Sequence, residues 1–456
     1  MLEHVKRLID FILLPRTLTI DVMSTQFTKP QPILDKSLLQ SGAKTSSAPR
    51  IMGVWLAANL VVTTMLTGTL FVPSLTYGTA LLVITLGTLL GALVLVTVGS
   101  IGTRTGYATM ELTKFSFGIK GSLIPAMGNI VVLMGWSWVQ AILAGVTVNA
   151  LVAGATGYSN PVLWSVICEA VVVALALFGH SAIAKVEPVF AVLILACMGY
   201  VLWLCFKEVP LSSFLSTSAT EDPYTSRLAF DAVFATAISW TVLSADFNRF
   251  GSHTAKTSAG SFIGYCTSTI LAMSLGSTLA LYLVIARGVE APFDPVPLVE
   301  AFGPALAVAV FLSVMATNSM VVYGMVNSAM TVLPSKAQNY KVVASVIGLI
   351  SILGASQIAL LDYFTNFLLL IGAFFVPVFA VMICDYYLVK RGEYLPLTTY
   401  RFAVGYPAVG AWALGSLTAW IFAYHLLSPI GATMTSFLVT ALVYLVIDKV
   451  ASTRRS

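Results

Sequence analysis

Ser313, Thr317, Asn318, Ser319 and Tyr323 interrupt the run VFLSVMATNSMVVYG (310–324), whose other residues suit the interior of a membrane helix. At helical spacing Ser313, Ala316, Thr317 and Met320 share one face, and Asn318 points about 100° away. Hydroxyls and main-chain carbonyls on such a face are hard oxygens that can hold a small cation without a buried negative charge. The Asn318 amide offers both a donor and an acceptor, which suits an amide or a heteroaromatic ring edge. Two more polar sets interrupt apolar runs. GVWLAANLVVTTMLTGTLFVP (53–73) carries Asn59, Thr63, Thr64, Thr67 and Gly68, and FDAVFATAISWTVLSADFNRF (230–250) carries Thr236, Ser239, Thr241 and Ser244. Any one Ser or Thr in a membrane helix can be bonded to its own backbone or to a neighbouring helix. The functional reading rests on both runs being polar at corresponding places. Glu169, within SVICEAVVV (165–173), is costly in hydrocarbon unless paired, protonated or wet. It is the candidate for a proton-linked step, with a structural hydrogen bond to another helix as the alternative. Asp246 and Arg249, three residues apart, can bond each other or grip a nearby loop, a gating or structural role. The four histidines are scattered, and the five cysteines sit in apolar runs without paired metal-ligand spacing.

These residues need a membrane scaffold. With 58% hydrophobic and 9% charged residues and a mean hydropathy of +0.92, the chain cannot cover itself with a water-compatible surface. A bilayer core about 30 Å thick takes roughly 20 apolar helical residues to cross. The sequence predicts an all-α polytopic membrane protein with twelve transmembrane helices near 51–73, 78–101, 124–152, 161–179, 184–206, 228–246, 259–287, 303–331, 341–357, 364–388, 403–427 and 429–448. These form one transporter domain over 50–450, preceded by a cytoplasmic segment (1–49) and followed by a short cytoplasmic tail (451–456). With both termini in the cytoplasm, every Lys and Arg falls inside except Lys207, Arg227 and Arg287. The net charge of +5 then reflects orientation in a cell membrane, inner or plasma, and not nucleic-acid binding. LIDFILL, near the start, is too short to span, and translation from Met1 or from Met23 both fit the sequence.

So many spans with so little loop, and no clustered catalytic groups, point to a transporter rather than an enzyme. Helices 1 to 5 (about 51–206) and 6 to 10 (about 228–389) can form two repeats; an odd number of helices makes the second copy inverted, with helices 11 and 12 (about 403–448) outside the pair. Broken helices 1 and 6 would then expose backbone groups at the membrane midplane. An amino-acid transporter of the same design is the nearest rival, but its helix 1 is expected to carry a close glycine pair, and AANLVVTTM has none. A channel would need a continuous polar path.

Four stretches, TLFVPSLTYG, KFSFGIKGS (114–122), SADFNRFG (244–251) and ATNS (316–319), resemble the nucleobase:cation symporter family, most closely its bacterial cytosine and purine permeases. The likeness runs from about Arg50 to the last helix. It implies a LeuT-like fold of two inverted five-helix repeats plus two helices, with substrate held between helices 1, 3, 6 and 8. The coupling ion would be Na+ or H+, with no other cofactor. By resemblance, sodium would be held at Ala57, Leu60, Ser313, Ala316 and Thr317, although Ala316 replaces a hydroxyl that the family usually has. Trp136 matches a tryptophan that stacks on the base, as an uncharged ring can on an indole. The family's second stacking aromatic aligns with Ala237, with Trp240 three residues on. Leu133 stands where cytosine permeases carry glutamine, with Gln140 two turns later. The expected substrate site is therefore Trp136, Gln140, Thr236, Ala237, Ser239, Trp240 and Asn318. The partners implied are the lipid bilayer and a small heterocycle of cytosine or purine type. Hydroxymethylpyrimidine, allantoin and hydantoin are alternatives. The sequence leaves oligomeric state open.

Overall fold

In a solvent without hydrogen-bonding capacity, backbone amides and carbonyls must pair within the chain, so apolar runs fold as helices. The computed structural model describes residues 46–453 apart from 178–179, 221–223, 334–336, 338, 396–402 and 427, and the side chains of 180–191 and 451–453 are also excluded. The expectations for residues 1–45, including the choice between Met1 and Met23, and for residues 454–456 lie outside the described residues. Among the described residues the structure is helical, with one isolated bridge pairing Ser46 to Gly251.

Helices occupy the apolar segments in chain order: Ala48–Asn59 with Val62–Thr69 (segment 1), Tyr77–Thr105 (2), Leu123–Thr156 (3), Pro161–Leu177 (4), His180–Glu208 (5), Ser226–Thr241 with Ser244–Asn248 (6), Thr254–Arg287 (7), Pro304–Val332 (8), Tyr340–Gly354 (9), Phe364–Ile383 (10), Tyr406–Tyr424 (11) and Ala432–Thr453 (12). Six helices of the described chain are long and apolar enough to cross a membrane unaided, and the two halves of segment 1, bent by 55°, together make a seventh. Short helices such as Thr109–Phe117 lie in the connections. The ends have local causes. Thr76 and Thr225 cap segments 2 and 6 by accepting from Thr79 N–H and Leu228 N–H, both at 3.3 Å. Gly106 and Gly157 close segments 2 and 3 in the left-handed conformation.

Segments 1, 2, 6 and 7 pack as one group and segments 3, 4, 8 and 9 as another, while segments 10 to 12 lie together with segment 10 against segment 6. The first group is packed backbone to backbone. A Cβ on Gly276 would sit 1.7 Å from the Met65 carbonyl oxygen, and one on Gly68 would sit 2.0 Å from that of Met273. Ser277 Oγ, between them, donates to the Gly68 carbonyl at 2.7 Å. Segment 2 meets segment 6 almost as closely, at Gly91 against the Ala237 methyl and Gly102 against that of Ala245. Asp231 ties segment 6 to segment 12 by accepting from Ala432 N–H at 2.8 Å and Thr433 N–H at 3.0 Å, the unpaired amides of that helix start.

Glycine at these contacts sets how closely the broken helices approach. Gly276→Val is expected to destabilise the protein by about 1–3 kcal/mol through overpacking. Gly199→Ala, where a Cβ meets nothing within 4 Å, is expected to leave the melting temperature of the detergent-solubilised protein unchanged.

Candidate substrate site between the two broken helices

Segment 1 leaves the helix at Leu60 and Val61, and segment 6 at Val242 and Leu243. Each break frees backbone groups that a continuous helix would pair. Val62 N–H, which would otherwise donate to the Ala58 carbonyl, donates instead to Ser313 Oγ on segment 8 at 3.0 Å. Asn59 bridges the gap by accepting from Thr64 Oγ1 at 2.9 Å and donating to Thr269 Oγ1. In segment 6, Ala245 N–H donates to Thr109 Oγ1 at 3.0 Å. Asn248 Oδ1 accepts from both Trp55 Nε1 and Ser261 Oγ at 2.9 Å, joining the two broken segments through segment 7.

Between the breaks lies a small cavity. Segment 1 contributes Thr63, Thr64 and Thr67, segment 3 Leu133, Trp136 and Gln140, segment 6 Thr236, Ser239, Trp240 and Leu243, and segment 8 Thr317 and Val321. None of these side chains is charged. Thr67, Thr236 and Ser239 spend their hydroxyl protons on their own helices, on the carbonyls of Thr63, Ala232 and Thr236 at 2.7–2.9 Å. Two lining atoms, Trp136 Nε1 and Gln140 Oε1, are buried with no protein partner. Such groups are costly unless something pairs with them, so the cavity offers a ligand one unspent donor and one unspent acceptor beside an indole face.

Both ends of the cavity are narrow. Trp136 packs edge-on against Phe364 and Phe367, with centroids 5.8 and 5.4 Å apart, and Phe364 stacks on Phe293 at 3.7 Å. Beyond Phe364 opens a wide vestibule bordered by Tyr224, Glu290, Asp294 and Asp362. At the other end Leu243 fills the space beside Gly324, where an added Cβ would lie 2.8 Å from it. Further along, Asn129 Nδ2 donates to Ser328 Oγ at 2.7 Å.

Of the expected substrate residues, Trp136, Gln140, Thr236, Ser239 and Trp240 reach this cavity. Ala237 does not. One position from Thr236 on a helix, its methyl turns away and is buried against Gly91 of segment 2, among Trp55 and Tyr265. Asn318 also differs from the expectation, because both its amide hydrogens are used. Nδ2 donates to Glu169 at 2.7 Å and to the Ser137 carbonyl at 3.2 Å, leaving only Oδ1 unpartnered. Glu169, fully buried, accepts from Ser137 Oγ at 2.7 Å as well. Asp246 accepts from Thr109 N–H at 3.0 Å, so it grips the helix Thr109–Phe117, and the Arg249 guanidinium lies over the Phe250 ring.

The positions expected to hold sodium gather around the break of segment 1. Ala57 and Leu60 flank it and Thr317 lines the cavity. Ser313 has its hydroxyl engaged by Val62, and Ala316 has no side-chain oxygen. Main-chain carbonyls and the Thr317 hydroxyl are the hard oxygens that these positions offer a cation.

Residues 40–447 match the family described as permease for cytosine/purines, uracil, thiamine, allantoin. The chain belongs to this family. It is 27% identical over 366 residues to a putative purine-cytosine permease of Bacillus subtilis (strain 168), covering 76% of this chain and 77% of that one. It is 28% identical over 364 residues to the cytosine permease of Escherichia coli (strain K12), covering 79% and 83%. Its fold is similar to that of Mhp1. For the inward-facing conformation the TM-score is 0.76 at 19% identity, covering 94% and 96% of the two chains. For the closed conformation with bromovinylhydantoin bound it is 0.73 at 18% identity, covering 92% and 97%. The protein is thus a multi-pass membrane permease of LeuT-like fold.

Sequence reasoning on this permease overlooked Leu243 and Val321 in the cavity, and Ser137 and Ser351 beside Glu169. The two serines stand in apolar runs, and only the three-dimensional approach of segments 3, 4 and 9 gives them partners. Trp136→Ala and Gln140→Leu are each expected to weaken ligand binding by about 1–3 kcal/mol, roughly ten- to hundredfold in Kd, by removing the stacking face and the unspent acceptor. Isothermal titration against wild type measures both.

Proposed function

We propose that this permease imports a nucleobase or a closely related neutral heterocycle by cation symport with alternating access. The observation that carries the reading is the uncharged cavity, in which an unpaired indole N–H and an unpaired amide oxygen lie beside an aromatic face. A planar ring with both a donor and an acceptor on its edge meets that demand. A zwitterion would bring two charges into a site with no charged partner, which argues against an amino acid. The substrates named for the matching family and relatives, cytosine and purines among them, have this chemistry. Bromovinylhydantoin, bound by Mhp1, keeps hydantoins as an alternative.

In this reading the twelve segments all cross the membrane, as two inverted repeats followed by segments 11 and 12, with both chain ends in the cytoplasm of a cell whose inner or plasma membrane holds the protein. Two features support the repeats: segments 1 and 6 are both broken, and segment 7 packs on segment 1 as segment 2 packs on segment 6. The vestibule beyond Phe364 would face outside. Substrate and cation enter together, the group of segments 1, 2, 6 and 7 rocks against that of segments 3, 4, 8 and 9, and both leave into the cytoplasm. A cation moving inward contributes about 2.3 kcal/mol per charge for each 100 mV of membrane potential. Trp136, Gln140, Thr236, Ser239 and Trp240 would hold the ring, and Asp246 with Arg249 would brace the cytoplasmic end.

The test is thermal unfolding of the purified protein with cytosine, adenine, hypoxanthine, uracil, hydroxymethylpyrimidine, allantoin, a hydantoin and several amino acids. A true ligand at about 100 times its Kd stabilises by roughly 2.7 kcal/mol. At least one heterocycle is expected to raise the melting temperature, and Trp136→Ala is expected to shrink that rise by half or more. A response to amino acids alone would overturn the substrate class.

A further inference from the structure

A buried carboxyl lies behind the cavity. Glu169 sits at the centre of the group formed by segments 3, 4, 8 and 9. Ser137 of segment 3 and Asn318 of segment 8 each donate to one of its oxygens at 2.7 Å. Ser351 of segment 9 extends the chain, with its Oγ 3.0 Å from Ser137 Oγ and donating to Met134 Sδ at 3.3 Å. Segment 3 thus presents Ser137 and Met134, segment 8 Asn318 and segment 9 Ser351. On segment 4 itself the neighbouring titratable group is the Cys168 thiol, and the Tyr340 hydroxyl donates to that segment at the Ala176 carbonyl. Among the described residues no Lys, Arg, His, Asp or other Glu faces the carboxyl. An ionised carboxylate with no countercharge is expensive in such surroundings.

Resting on the symport reading above, we infer that Glu169 is the site that carries the coupling proton. The hydrogen-bond pattern says which oxygen takes it. Asn318 Nδ2 can only donate, so Oε2 is an acceptor in either state, and the proton belongs on Oε1, facing Ser137 Oγ. Ser137 then turns its own proton to Ser351, and Ser351 turns its proton to the Met134 thioether, so every donor has an acceptor. When Glu169 releases its proton, Ser137 swings back to donate to Oε1 and Ser351 donates to Ser137. The proton is taken up from one aqueous side and given to the other, with no bond to substrate made or broken. The link to transport is short. Ser137 is next to Trp136 and Asn318 is next to Thr317, and both Trp136 and Thr317 line the cavity. The proton on Glu169 thus acts on the residues that carry two of its walls.

The test uses the full chain in sodium-free proteoliposomes, with wild type, Glu169→Gln and Glu169→Asp. An inward gradient of about one pH unit is expected to drive about tenfold accumulation of the heterocycle in wild type if one proton accompanies each substrate. Glu169→Gln is expected to exchange substrate but not to accumulate it, and Glu169→Asp to accumulate it with a displaced pH midpoint. Accumulation by Glu169→Gln equal to wild type would overturn the proposal. A second readout needs no substrate. Infrared difference spectra between acid and alkaline buffer should contain a protonated-carboxyl band in wild type that Glu169→Gln lacks, and no such difference at any pH would also overturn the proposal. If the band is present but no heterocycle is bound, the proton site stands and the substrate reading fails.

Discussion

The structure depends on two helices that break within apolar segments. A break in hydrocarbon exposes amides and carbonyls that water cannot reach, and each would cost several kcal/mol if left unpaired. The chain therefore has to bring polar side chains to Leu60–Val61 and Val242–Leu243. Val62 N–H is met by Ser313, Asn59 spans its own break to Thr64, and Thr109 reaches in from a connecting helix to Ala245. The cavity follows from the same constraint, because groups gathered to satisfy two breaks leave a polar pocket between them.

Close packing is the second requirement. Side-chain contacts alone would hold the broken halves too far from segments 2 and 7 for backbone carbonyls to find partners. Glycines at 68, 91, 102, 264 and 276 remove that spacing, so that Ser277 bonds directly to the Gly68 carbonyl. Without a hydrophobic drive between helices inside lipid, such small-residue contacts and interhelical hydrogen bonds supply the association. The group formed by segments 3, 4, 8 and 9 is held differently, by the hydrogen bonds of Glu169, Asn318, Ser137 and Ser351.

What was legible in the sequence divides along the same line. Apolar length located every helix that the structure describes on those segments, since that signal is local. Resemblance and hydroxyl placement pointed to Trp136, Gln140, Thr236, Ser239, Trp240 and Thr317, which all reach the cavity. Ala237 shows the limit of carrying an alignment over by position. A methyl group reports nothing about direction, and the helical turn from Thr236 sends it to Gly91. In the sequence Asn318 looks like a free amide, because its partner Glu169 is 149 residues away. Local pattern cannot show that a donor is already spent, nor that Ser313 answers an amide on segment 1.

The separation of charge from the cavity is what joins these features into one device. An acid inside the cavity would bind the heterocycle directly and would favour cationic ligands. Placed one helical position behind the wall, Glu169 leaves the pocket neutral while remaining bonded to residues adjacent to Trp136 and Thr317. In the proposed reading, substrate recognition would rest on stacking and on edge hydrogen bonds, neither of which needs a countercharge. The ionisable group sits among four segments packed as one body, and in the proposed mechanism a change in its charge would be felt by the surface against which segments 1 and 6 would move.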